Sequence, residues 1–214
     1  MEPTTIRDYA LYYVLDLPAR GEPATLVAAA VAGGATIVQL RGKDIPAGEL
    51  YTTTLSVQSA LRGTGVPLVI NDRLDVAMAA GADGVHVGAS DLPFERVREI
   101  APGLIVGVSC YGDLDRARRA VAAGVDYVAF GAFAPSPTKT EAAVIPLTTL
   151  AGARDLGVPV VAIGGISLDR VEELIRAGAD GVAVISAIQG APDPGVAARD
   201  LRAAVERGRS GRSG

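Results

Sequence analysis

The sequence predicts a single (β/α)8 TIM barrel, a closed parallel sheet ringed by helices, and three observations predict it. Short apolar runs alternate with helical segments eight times along the chain, with short links between them. The apolar runs lack the polar alternation of a half-exposed strand, as expected of strands covered on both faces. The chain also repeats itself: AGADGV at 80–85 returns at 177–182, with AGVDYV at 123–128 as a variant. Each copy reads as a helix end, a glycine stop and the start of a strand. Eight such units with right-handed crossovers close most simply into a barrel. An open doubly wound sheet also suits the alternation, and it is the count of eight that favours closure.

In order, strands are expected at 11–15, 36–40, 68–70, 84–87, 104–108, 127–130, 158–163 and 181–185. The helices between them are expected at 22–32, 46–62, 74–80, 93–100, 113–123, 146–155, 167–177 and 195–207. Gly33 and Gly34 stop the first helix, Pro46 suits the start of the second, and Gly63 and Gly65 close it. Asp113 and Ser167 have the side chains of N-caps. Residues 131–140 form the longest link and carry two prolines. The barrel is assigned to residues 1–207, and GRSGRSG at 208–214 reads as a disordered tail.

Composition narrows the function. With 49% hydrophobic and 21% charged residues the chain is an ordinary globular protein able to bury a large core. Aromatics are 4%, so the core is expected to be built from Val, Ile, Leu and Ala. A net charge of −4 argues against bulk attraction to nucleic acid, so no nucleic-acid partner is expected. No apolar run approaches the ~20 residues of a membrane span, and no charged-then-apolar leader is read, so no membrane partner is expected. The single cysteine, Cys110, permits no internal disulfide and fits a reducing cytoplasm.

Anionic ligands must therefore be caught by a few placed cations. Of 20 basic residues only Lys43 and Lys139 are lysines, and each follows a predicted strand. Gln39, Arg41 and Lys43 share one side of an extended segment. The next two strands are followed by Asn71-Asp72 and by Asp91. Two carboxylates on one rim suit Mg²⁺, which takes one or two carboxylates plus substrate phosphates; each acid also suits the cap of the helix after it. One His and one Cys exclude a dedicated zinc site. His86, inside a strand, reads as a satisfied core residue rather than the partner of a nucleophilic Cys110. Ser136, Pro137, Thr138 and Lys139 place two hydroxyls and an ammonium on a proline-held loop. Gly164 and Gly165 leave backbone N–H groups bare after the seventh strand, with Ile185 and Ser186 ending the eighth beside them, where barrels often bind phosphate. The rim thus has two anion sites: Arg41, Lys43, the acids and Lys139 at one, and Gly165, Ser186 and residues 136–138 at the other. Two phosphorylated small-molecule substrates, one needing Mg²⁺, imply group transfer with a diphosphate leaving group.

VQLRGKD, VINDRLDVAMAAGADGVHVG, FGAFAPSPTK, PVVAIGGIS and ADGVAVISAI, in this order over nearly the whole chain, resemble the thiamine-phosphate synthase family. The resemblance implies Mg²⁺-dependent joining of a hydroxymethylpyrimidine diphosphate to a hydroxyethylthiazole phosphate, with release of diphosphate. It implies that Gln39, Leu40, Arg41, Gly42, Lys43, Asn71, Ser109 and Lys139 hold the pyrimidine diphosphate, and that Asp72 and Asp91 hold Mg²⁺. Arg41, Lys43, Lys139 and Ser109 would carry the catalysis. Ser136, Pro137, Thr138, Gly165, Ile185 and Ser186 would hold the thiazole phosphate. The chain departs from the family pattern in GASD after the fourth strand, where Ala89 replaces a Gln. It also reads Cys-Tyr-Gly after Ser109 in place of a small residue, His and Thr, is one residue longer before Gly124, and has Ser136 for Thr. A paralogous thiazole tautomerase on the same barrel, or a non-catalytic sensor of phosphorylated ligands, is the alternative reading; the tautomerase would not need both acids and both lysines.

Overall fold

The computed structural model describes residues 6, 8–135 and 143–211. Eight parallel strands close into a barrel in chain order, with β8 paired back onto β1. The strands are β1 (Leu11–Asp16), β2 (Ile37–Arg41), β3 (Leu68–Asn71), β4 (Gly84–Val87), β5 (Ile105–Tyr111), β6 (Tyr127–Phe130), β7 (Val160–Ile163) and β8 (Gly181–Val184). Helices α1 (Pro23–Ala32), α2 (Ala47–Leu61), α3 (Leu74–Ala80), α4 (Phe94–Ile100), α5 (Leu114–Ala122), α6 (Thr148–Ala153) and α7 (Val171–Ala177) each follow one strand. After β8 come two helices rather than one, a short α8 (Ser186–Gln189) and a long α9 (Pro194–Ser210).

Two apolar layers hold the barrel. Odd-numbered residues of β1, such as Leu11, Tyr13 and Leu15, pack outward against the helices, while Tyr12 and Val14 point into the interior with Ile37, Val69, Ile105 and Val161. This alternation follows from the pleat. The interior is not the purely aliphatic one expected from a chain poor in aromatics. Tyr12 and Tyr127 lie fully inside it, their rings 5.8 Å apart at centroid, and Tyr9 packs on Tyr127 at 5.5 Å. Gly107 makes room for them: a Cβ there would lie 2.0 Å from the Tyr127 ring.

The cap at Asp113 is as expected, while other element boundaries differ from expectation. Asp113 caps α5 by accepting from the Arg116 N–H. Ser167 makes no such cap; a 3-10 turn at Leu168–Arg170 precedes α7. α9 runs to Ser210 with Gly208 buried on it, three residues into the stretch expected as a tail. A Cβ on Gly208 would lie 2.7 Å from Ile175, so this glycine seats α9 on α7. β5 runs past the expected 108 to Tyr111, with an irregularity between Ser109 and Tyr111 that re-aims its last residues.

The repeated AGxD motif acquires a purpose. The carboxylates of Asp83, Asp126 and Asp180 accept from the backbone N–H of Leu68, Val106 and Val160, at 2.8, 2.7 and 2.8 Å. Each repeat thus fastens the beginning of one strand to the beginning of the strand before it, at the end of the barrel opposite the rim. Asp180→Ala strips that acceptor from Val160, costing about 1–3 kcal/mol. Thermal unfolding should show a midpoint lowered by about 2–4 °C per kcal/mol, with turnover per folded molecule unchanged.

Candidate active site

Because all eight strands run the same way, their C-terminal ends converge on one rim. There Arg41, at the end of β2, forms an ion pair with Asp16, its register partner at the end of β1. Asp16 is held in turn by α8: Gln189 Nε2 donates to the Asp16 carbonyl at 2.8 Å, and the Asp16 N–H donates to Gln189 Oε1 at 2.9 Å. The helix that the sequence reading omitted therefore sets the position of the guanidinium. Lys43 lies beyond the strand and is exposed. Leu40 and Gly42 are different in kind. The Leu40 side chain is fully buried among the helices, and Gly42 is buried where a Cβ would lie 2.9 Å from Ile45.

The structure brings Asp72 and Asp91 together. The two carboxylates lie close enough to act on each other's charge, and the Asn71 side chain is beside Asp72 and favours its ionised form. Burial, then the Asp91 carboxylate and its charge, push the Asp72 pKa up to about 6, opposed by the nearby Arg41 charge. Neither acid caps a helix: α3 and α4 begin at Arg73 and Pro93 without a side-chain cap. Instead Asp91 Oδ2 accepts from the Gly88 N–H at 2.7 Å, which folds the Gly88–Asp91 turn toward Asp72. Asp72 itself sits at φ 61° with its N–H donating to the His86 carbonyl at 2.8 Å. A non-glycine residue held there costs energy, less for Asp than for most side chains, and such residues cluster at functional sites. Among the described residues no group of three His, Cys, Asp or Glu could hold a metal. Two carboxylates close together, one of them held back from ionisation, are a donor set of the kind that contributes one or two ligands to a divalent-cation site.

Ser109, near the end of β5, lines a cavity over the rim. Its Oγ is 2.8 Å from His86 Nε2, and His86 Nδ1 is 3.0 Å from the Tyr127 hydroxyl. His86 is thus the satisfied core residue that its place in a strand suggested. Cys110 points the other way, into the helix layer, and burial pushes its thiol up to about 12, so the two form no catalytic pair. Arg116, not anticipated from sequence, ties the fourth and fifth strand ends together. Its Nε donates to the Ser109 carbonyl at 2.8 Å and Nη2 to the Gly88 carbonyl at 3.0 Å, while the guanidinium lies over the Phe94 ring. Tyr111, at φ 57°, accepts from the Ala89 N–H at 3.1 Å, so its phenol reaches the turn where the family pattern has a Gln side chain.

A cavity of about 840 Å³ opens over this rim. Arg41, Lys43 and Ser109 line one part of it, and Gly164, Gly165 and Ser186 another. The acids are not among its lining residues; Arg41, which is, connects them to it. The glycine pair is required by a close approach of two loops. Gly165 has φ 67°, and a Cβ there would lie 2.3 Å from the Ala134 carbonyl oxygen. Phe133 N–H donates to the Gly164 carbonyl at 3.0 Å, which ties the loop after β6 to the loop after β7. Ile185, half-buried, precedes α8, and Ser186 opens it, exposed to the cavity. Ser136, Pro137, Thr138 and Lys139 lie outside the described residues. Of the positions the sequence missed, Asp16 carried a signal, an acid ending the first strand. Gln189, Arg116 and Tyr127 carried none, because each acts across a gap of many residues.

A model of the thiamine monophosphate synthase family matches residues 11–188. The thiamine-phosphate synthase of Roseiflexus sp. (strain RS-1) is 46% identical over 211 residues, covering 94% of this chain and 89% of that one. That of Thiobacillus denitrificans is 48% identical over 177 residues, covering 82% and 84%. The solved thiamine phosphate pyrophosphorylase of Pyrococcus furiosus superposes with a TM-score of 0.86 at 40% identity, covering 93% of this chain and 96% of that one. With the family matched from the first strand to the end of α8, and a solved relative sharing the whole barrel, this chain belongs to the thiamine monophosphate synthase family.

Proposed function

We propose that this protein is a thiamine-phosphate synthase, joining 4-amino-2-methyl-5-hydroxymethylpyrimidine diphosphate to 4-methyl-5-(2-hydroxyethyl)thiazole phosphate with release of diphosphate. The observation that carries the reading is the grouping of Asp72 and Asp91 near Arg41 on the rim, with Arg41, Lys43 and Ser109 lining one part of the cavity and Gly164, Gly165 and Ser186 another. Family membership and relatives named as this synthase support it.

Asp72 and Asp91 would hold Mg²⁺, and the resistance of Asp72 to ionisation is what a divalent ion would relieve. When bound, the ion supplies positive charge to the diphosphate as it leaves. Arg41 and Lys43 stabilise the same departing charge, joined by Lys139. The C–O bond to diphosphate breaks first, the aminopyrimidine carries the positive charge left on its methylene carbon, and the thiazole nitrogen lone pair forms the new C–N bond. No proton need move, which agrees with a rim whose one histidine is engaged in the interior. Ser109 and Asn71 orient the pyrimidine diphosphate. Gly165, Ile185 and Ser186, with Ser136, Pro137 and Thr138, hold the thiazole phosphate. The protein's contribution is positioning and exclusion of water. A cytoplasmic setting belongs to the same proposal, supported by a lone cysteine that can form no internal disulfide.

Purified protein incubated with both substrates should form thiamine phosphate with Mg²⁺ and not after chelation. Absence of product with any divalent metal would sink the reading, and isomerisation of a thiazole without the pyrimidine would favour the tautomerase. Asp72→Asn should reduce Mg²⁺-dependent turnover by about 100-fold or more. The same change should stabilise the metal-free fold at pH 7. Because the folded pKa of Asp72 is raised from 3.8 to about 6, its stabilising contribution is full below 3.8 and is lost as pH rises through 6. That displacement is worth about 3 kcal/mol for a buried group; half-exposure leaves about 1 kcal/mol, or about 2–4 °C in thermal midpoint. Asn tolerates positive φ, so the backbone at 72 is retained. A midpoint at pH 7 that is unchanged or lower would mean the carboxylates do not repel. Lys139→Met should lower turnover by about 10-fold or more while thiazole phosphate binding changes less than about twofold; the reverse would assign Lys139 to the other phosphate.

A further inference from the structure

A line of polar groups crosses the barrel interior, and the reaction as written uses only its last member. Gln39 Nε2 donates to the Tyr12 hydroxyl at 2.7 Å, and the Tyr12 and Tyr127 hydroxyls are 2.7 Å apart. Tyr127 continues to His86 Nδ1 at 3.0 Å, and His86 Nε2 to Ser109 Oγ at 2.8 Å. Gln39, Tyr12, Tyr127 and His86 are all buried. Ser109 alone reaches the rim cavity.

The direction of this chain follows from counting protons. Burial pushes both phenols above their ordinary value, so each keeps its single hydrogen. Gln39 donates to Tyr12, and of the two directions open to the Tyr12–Tyr127 contact only donation by Tyr12 gives its own hydrogen an acceptor within this line of groups. Tyr127 must then donate to His86 Nδ1, which leaves the imidazole hydrogen on Nε2, aimed at Ser109 Oγ. Ser109 accepts it, and its own hydrogen is turned outward. Links aligned head to tail polarise one another, and a fully satisfied chain holds a single arrangement. An aliphatic interior would fill this space at lower desolvation cost, and the room Gly107 leaves for the Tyr127 ring shows that the phenol is accommodated at the expense of a side chain on β5.

We propose that the interior chain from Gln39 through Tyr12, Tyr127 and His86 is a positioning device. It holds His86 as its Nε2–H tautomer and so fixes the Ser109 hydroxyl as a hydrogen-bond donor into the rim cavity. The oxygen it faces belongs to the pyrimidine diphosphate, so this inference rests on the synthase reading given above. A donor already aimed at the place where negative charge develops costs no reorientation during the step. His86 and Tyr127 touch neither substrate and act only through Ser109.

The chain has one histidine, so ¹⁵N-histidine labelling yields one unambiguous pair of ring signals. In substrate-free protein at about pH 8.5, above the ordinary imidazole range, the wild type should show Nε2 protonated and Nδ1 bare. Tyr127→Phe removes the donor to Nδ1 and should produce a mixture of tautomers. In turnover, Tyr127→Phe should lower kcat by about tenfold, the worth of a hydrogen bond to a charged group, with KM for the pyrimidine diphosphate within about twofold. In a Ser109→Ala background the same change should cost nothing further, as expected of residues that act as a unit. An Nδ1–H tautomer in the wild type overturns the device whatever the turnover, so its failure is distinct from a failure of the synthase reading. A Tyr127→Phe loss that persists undiminished without the Ser109 hydroxyl overturns it as well.

Discussion

The pairing of β8 back onto β1 through Tyr12 and Ala183 is the constraint on which everything at the rim depends. It places the loop after β7 and the start of α8 next to the end of β1, so that Gln189 can grip the backbone of Asp16. Asp16 then holds Arg41, and Arg41 lies near enough to Asp72 to oppose the rise in its pKa. In an open sheet β1 and β8 would be separated, and this sequence of contacts would have no path. Closure thus links a helix near the end of the chain to a cation near its beginning.

The two ends of the barrel are built on opposite principles. At the strand beginnings, Asp83, Asp126 and Asp180 each satisfy a backbone donor of the neighbouring strand, which is stabilising wherever it occurs. At the strand ends, two carboxylates face each other, and Asp72 and Tyr111 occupy the left-handed region that side chains avoid. Those features lower stability. They persist because the ladder around them over-determines the backbone; the proposed function gives them a use, as the place where a cation and a diphosphate would bind. The family's Gln at position 89 and His at 111 are here Ala89 and Tyr111, and the phenol takes up contact with the turn that carries Asp91. The two departures therefore meet in space, although the sequence separates them by more than a strand.

The legible part of the site was the part written at strand ends. Arg41, Asp72, Asp91 and Gly165 could be named as candidates because a parallel strand delivers its last residues to one rim, and polar residues there are conspicuous after an apolar run; Gln39, named with them, is buried in the interior instead. His86 could be recognised as core for the same reason. Its partners could not, since Ser109 and Tyr127 reach it from two other strands. Leu40 and Gly42 show the limit from the other side. They lie within the motif but face away from the cavity, a matter of pleat and not of sequence order. Asp91 stood equally well for a cap or a ligand until the turn at Gly88 was seen to consume one of its oxygens.

By itself the sequence determined the number and kind of elements, the closed parallel barrel and its family, because hydrophobic runs, glycine stops and ordered motifs are local properties. It also determined which residues were available for chemistry at the rim. The tertiary structure decided what each of them does. The raised pKa of Asp72, the grip on Arg41, the burial of Cys110 away from His86 and the hydrogen bond between Ser109 and His86 all arise between residues well separated in the chain. Charge repulsion, desolvation and hydrogen-bond direction depend on distance in space, and only the folded barrel sets that distance.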